Sequence, residues 1–160
     1  MTVEDAGFDG LVPVAEGPGG LRVWGVAEPP RSGLYGAPVE VNVLLEAGEE
    51  PERLDLSLLG EVVADVDRFV GAALGLVRRV LAAEPEVLGL TAEEAGRHLA
   101  GSDAELPLGA PQIDFHLDGW QLRFTEGALP VCDPYGAAVV FDGLRPVRFE
   151  DLRDAEPVEE

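Results

Sequence analysis

The sequence predicts an α+β fold, a mostly antiparallel sheet packed on one long helix. Three observations predict it. Leu59, Val62, Val66, Phe69, Val70, Ala73, Leu74, Val77 and Leu81 recur at helical spacing. Segments of period-two alternation lie on both sides of that run. Strands and helices are also segregated along the chain, whereas a parallel α/β sheet needs them to alternate. A chain of 160 residues fits one domain, 1–160, burying roughly 70% of the surface of its unfolded form.

Taken in order, residues 1–20 are rich in Gly and Pro and are expected to be irregular. Residues 21–26 alternate and read as a short strand. Residues 28–33 are expected as a loop, because Pro29 and Pro30 cannot continue a ladder. Residues 38–45 carry Val39, Val41 and Val43 on one face and form the strongest early strand. An acidic loop, 46–55, leads into the long helix, about 58–83. Asp55 or Ser57 is its N-cap, Arg78 and Arg79 complement its C-terminal dipole, and Pro85 stops it. Gly71 and Gly75 lie one turn apart inside it. Each costs about 1 kcal/mol relative to Ala, so a closely packed neighbour is expected there. A capping box, Thr91 with Glu94, starts a short helix, about 92–100.

The C-terminal third reads as β-hairpins. Residues 112–117 and 120–125 alternate on either side of Asp118-Gly119, a type I′ turn signal. A two-residue loop at that point pairs Leu117 with Trp120, Phe115 with Leu122 and Ile113 with Phe124 on the core face. It pairs His116 with Gln121 and Asp114 with Arg123 on a solvated face. Residues 136–141 form the next strand, Asp142-Gly143 a turn, and Pro146 limits the returning segment to an edge strand. Residues 153–160 are an acidic tail.

The chain carries 31 Asp+Glu against 11 Lys+Arg, a net charge of −20, and every cation is Arg. A charge this large repels nucleic-acid phosphates and anionic membrane faces, and it attracts basic surfaces. Residues 62–81, the longest apolar stretch, contain Asp65, Asp67, Arg68, Arg78 and Arg79, too many charges for a membrane span. The N-terminus is acidic and lacks an apolar signal region, so a cytoplasmic protein is expected. One Cys excludes an internal disulfide.

Catalytic constellations are sparse. A P-loop needs Lys, and the chain has none. Asp114, His116 and Asp118 share one strand face at period two and mix oxygen with imidazole, as metal sites do. The solvated face of a strand accounts for them better, since the alternate residues are core, and Asp118 already belongs to the turn. Cys132 stands beside Asp133, an acidic setting that opposes thiolate formation and marks a structural thiol. No catalytic, cofactor or metal residue is therefore assigned. The acids cluster at Glu46, Glu49, Glu50, Glu52 and Asp55, at Asp103 and Glu105, and from Glu150 to Glu160. Glu49, Glu50, Glu52, Asp55, Glu150, Asp151 and Asp154 are the candidate partner-binding residues.

The segment from Trp120 through Pro130-Val-Cys-Asp-Pro-Tyr-Gly136 and Val139-Val-Phe-Asp-Gly143 to Glu150-Asp-Leu152 resembles the C-terminal part of small acidic bacterial domains, actinobacterial in composition. Some of these are similar to immunity proteins of polymorphic toxins. The resemblance is confined to the C-terminal third and implies no catalytic residue. Together with the net charge and the absent catalytic motifs, the expectation is a non-enzymatic protein that blocks a basic partner such as a toxin, without cofactor. Two alternatives stand beside this expectation. One is a small metal-binding or enzymatic domain using Asp114 and His116, with Cys132 or Asp133. The other is a structural subunit that forms a homodimer through its sheet face or its Gly71/Gly75 helix face.

Overall fold

Two neighbouring parallel strands cannot be joined by a tight turn, and in this chain the helices are the crossover between such a pair. A computed structural model describes residues 11–50, 53–102, 105–106, 108–117, 119–127 and 137–151. Among them the strands are β1 (Leu11–Glu16), β2 (Arg22–Val26), β3 (Arg31–Ser32), β4 (Ala37–Pro38), β5 (Glu40–Leu45), β6 (Leu108–His116), β7 (Gly119–Gly127), β8 (Ala137–Asp142) and β9 (Arg145–Asp151). The helices are α1 (Leu56–Ala64), α2 (Val66–Ala83) and α3 (Ala92–Leu99). Seven strands form one sheet in the order β1-β2-β5-β6-β7-β8-β9, and β3 with β4 makes a small separate ribbon. Every neighbouring pair in the large sheet is antiparallel except β5 with β6. The fold is α+β, with a mostly antiparallel sheet.

Period-two alternation decides the faces. Val39, Val41, Val43, Ile113, Phe115, Trp120, Leu122, Phe124, Val139 and Phe141 are buried in one core with the helices. The opposite face carries a row running Gly25, Asn42, Asp114, Gln121, Val140, Arg148 across six strands. Gly25 is required there by a close approach. A Cβ on it would lie 2.8 Å from a methyl of Val14, which folds over it.

Residues 1–20 are not irregular throughout. Leu11–Glu16 pairs with β2, and the Gly/Pro-rich segment after it is the hairpin turn, with Gly17 N–H donating to the Leu21 carbonyl at 2.7 Å. Pro13 is tolerated because β1 is an edge strand, where a missing N–H breaks no ladder. The expected loop over 28–33 likewise contains a short strand, Arg31–Ser32. Its ribbon is latched to α2. Asp67 accepts from the Ser32 hydroxyl and the Gly33 N–H, each at 2.9 Å, and Ser32 is fully buried.

The long helix is two helices. Asp65, at φ −139° and ψ 50°, breaks the run. The break keeps the phase of the apolar stripe: Leu59 and Val62 of α1 and Val66, Phe69 and Val70 of α2 bury the same side. Asp and the β-branched residues around it are poor helix formers, which favours this point for the break. Asp55 is the N-cap of α1, its carboxylate accepting from Leu58 N–H at 3.0 Å. The expected close neighbour at Gly71 and Gly75 is absent among the described residues. A Cβ built on either glycine meets nothing within 4 Å among the described residues. The capping box of α3 is formed, with bonds of 2.9 and 3.1 Å between Thr91 and Glu94. The Arg78 guanidinium ties α2 to the end of α3 through the Leu99 and Gly101 carbonyls, at 3.2 and 2.8 Å.

The β6–β7 hairpin has a different register from the one expected. Phe115 pairs with Trp120, Ile113 with Leu122, and His116 with Gly119. The turn is centred one residue earlier, so the pairing shifts by two. Asp114 then faces Gln121, and Arg123 faces Gln112. A two-residue shift preserves which residues share a face, so the apolar set stays in the core. Both sheet edges end in a proline-containing strand, β1 with Pro13 and β9 with Pro146.

Two measurements test this account. Phe69→Ala is expected to lower stability by about 3–5 kcal/mol, and Gly71→Ala to raise it by about 0.5–1 kcal/mol, both read from urea unfolding. The Asp67 carboxyl is held below its ordinary 3.8 first by the Gly33 N–H, against burial, with the Ser32 hydroxyl and Leu34 N–H adding to the effect. Its stabilisation is therefore fully present above pH 3.8 and lost as pH falls through the lowered folded value. Asp67→Asn should be less stable than the parent at neutral pH, with the difference closing in the acid range.

Candidate binding cleft

In an up-and-down meander the first and third turns lie at the same end of the sheet. Strands β6 to β9 are such a meander, so the turn from His116 to Gly119 and the turn from Asp142 to Arg145 meet. The first turn of α1 reaches this end too. The three together enclose an open cleft of about 800 Å³.

Its apolar lining comes from an aromatic stack. Phe115, Trp120 and Phe141 are direct neighbours on β6, β7 and β8. Trp120 lies face to face with Phe115 at 5.2 Å and with Phe141 at 4.1 Å. Phe69 of α2 meets the edges of the stack at 5.6 and 6.1 Å. The indole Nε1 donates to the Gly143 carbonyl at 2.9 Å, which pins the β8–β9 turn to the stack. Gly143 has φ +60°, a conformation that favours glycine at this turn. Leu58 and the exposed Val147 extend the apolar lining.

The charged lining is mainly acidic. Asp55, Asp142 and Glu150 contribute carboxylates, and Arg148 and His116 are the basic side chains. Arg148 pairs with Glu150 at 3.4 Å, but both are solvent-exposed, so the pair contributes little. Asp55 already caps α1 with one carboxylate oxygen.

The candidate acids therefore divide. Asp55 and Glu150, 95 residues apart in the chain, line one cleft. Glu49 and Glu50 do not line it. The Glu49 carboxylate accepts from Glu46 N–H at 2.6 Å, and its carbonyl accepts from Arg22. Asp151 closes β9, and Glu52 and Asp154 lie outside the described residues. Asp142 was missed as a site residue because Asp-Gly was read only as turn chemistry. The signal was the meander itself, which sends alternate turns to one end.

Asp114 and His116 do not share one solvated environment. His116 is exposed and lines the cleft, whereas Asp114 is only 5% exposed and accepts from Gln112 Nε2 at 2.8 Å. Among the described residues no three His, Cys, Asp or Glu side chains group to hold a metal ion. Asp118, Cys132 and Asp133 lie outside those residues. Also among the described residues, no helix is long and apolar enough to cross a membrane. Comparison with protein-family models, curated proteins and solved structures found no match to this chain.

Trp120→Phe keeps a ring in the stack and removes its hydrogen-bond donor. It is expected to lower stability by about 1–2 kcal/mol and to speed amide hydrogen exchange in the turn from Asp142 to Arg145.

Proposed function

We propose that this protein is a non-enzymatic binding protein for a basic protein partner, acting as an inhibitor or immunity protein by charge and shape. One observation carries the reading. Asp55 and Glu150, from two separate acidic clusters, line the same open cleft together with Asp142, beside an aromatic stack. An apolar lining with a mainly acidic charged surface suits a partner that presents cations around an apolar contact. The net charge of −20 supports the same reading at long range, because it speeds the approach of a basic surface and repels phosphate backbones. A toxin nuclease has such a surface, since a groove that holds nucleic acid must itself be basic. Blocking it needs no catalytic residue and no cofactor in this chain.

The test is retention of host-lysate proteins on the immobilised protein at about 50 and about 500 mM salt, between which the Debye length falls from roughly 14 to 4 Å. The parent is expected to retain one basic protein at low salt and lose it at high salt. The triple variant Asp55→Asn, Asp142→Asn, Glu150→Gln is expected to retain it at least about tenfold more weakly. Asn at position 55 preserves the helix cap, so the variant should melt like the parent. A partner bound equally by both proteins would refute the cleft as the binding site.

A further inference from the structure

The cleft runs along a sheet edge. β9 is the outermost strand, bonded to β8 on one side, and among the described residues no strand pairs with its other side. Its Val147, Arg148 and Glu150 line the cleft. The two edges of the sheet differ. β1 carries Pro13 in its middle, with a register shift between Pro13 and Ala15. β9 carries Pro146 second from its start and a register shift that leaves Val147 without a partner on β8, so residues 148–151 form the regularly paired run with every backbone N–H in place. Proline and irregular pairing protect an edge only where they lie, so β1 is blunted along its length and β9 only at its beginning.

Resting on the reading above, we propose that the outer edge of β9 is the docking strand. An extended segment of the partner, with a cation flanked by apolar residues, pairs with residues 148–151 as an eighth strand of the sheet. Alternation in β9 sets the pattern. Phe149 falls on the core side, opposite Val139, and the partner places an apolar residue beside it. Arg148 and Glu150 fall on the other side, opposite Val140 and Ala138, and the partner places its cation beside Glu150. The exposed Arg148–Glu150 pair gives way at little cost. Main-chain bonds supply affinity, and the acidic cleft supplies selectivity. Charge excludes a second copy of this chain as the occupant, since it would bring −20 against −20.

The probe is a capped synthetic nonapeptide alternating Arg and Val, followed by fluorescence anisotropy, with amide hydrogen exchange read at residues 148–151. The expected result is binding, with slowed exchange in that run. The same peptide N-methylated at every second residue keeps its charge but cannot complete a ladder, and should bind about tenfold or more weakly. Glu150→Gln should weaken the unmethylated peptide several-fold, and a Glu-Val peptide should not bind. Equal binding of the methylated and unmethylated peptides, with exchange unchanged, would overturn strand addition and leave the charge-driven reading standing. Failure of both peptides and of poly-arginine at low salt would overturn both readings. Protection of 148–151 in the unliganded protein, together with a dimer by light scattering, would assign the edge to self-association instead.

Discussion

Trp120 is held between Phe115 and Phe141, with Phe69 of α2 against the edges, and the layout of the C-terminal half depends on that contact. Each aromatic pair contributes about 0.5–1.5 kcal/mol beyond its area burial, and Trp120 makes three such contacts. A locally ideal turn at Asp118-Gly119 would set Trp120 opposite Leu117 and lose the pairing with Phe115. The observed register adds the Phe115 contact to those with Phe69 and Phe141, and the hairpin takes the register that completes the stack. The consequences spread outward. The stack aligns β6, β7 and β8, brings two turns to one end, anchors one of them through Gly143, and seats α2 over the sheet. The cleft is the open space left at that end.

The excess of acid is partly absorbed by local structure. Asp55 caps α1, Glu94 completes the capping box of α3, Glu49 and Glu105 accept backbone N–H groups in their own turns, and Asp67 latches the β3–β4 ribbon. These carboxylates face backbone donors at helix starts and turns, where negative charge is stabilised. Asp142 and Glu150 hold no such position in the hydrogen bonds described. They leave charge available at the cleft, which distinguishes them from acids whose contribution is to the fold.

Legibility followed the range of the interaction. The Asp55 cap, the Thr91–Glu94 box and the Val39, Val41, Val43 face were readable because each depends on residues within a turn or a strand. The break at Asp65 was hidden because the apolar stripe runs through it in phase. β1 was hidden because its Gly and Pro content resembles a loop, and only its position at an edge makes Pro13 acceptable. The glycines of α2 invited a tight contact, yet among the described residues nothing stands against them. At the site, Asp55 and Glu150 were visible as charge, Asp142 was visible only as turn chemistry, and their common location was not visible at all.

Period and composition alone determined the α+β class, the caps at Asp55 and Thr91, and the faces that β5, β6 and β7 turn to the core. They could do so because burial of a side chain depends on parity or phase along its own segment. The register of the hairpin, the strand order and the meeting of Asp55 with Asp142 and Glu150 were decided by the tertiary structure. A two-residue shift leaves parity unchanged, so the local pattern accepts either register. Only contact with a third strand and with a helix from another part of the chain makes one of them lower in free energy.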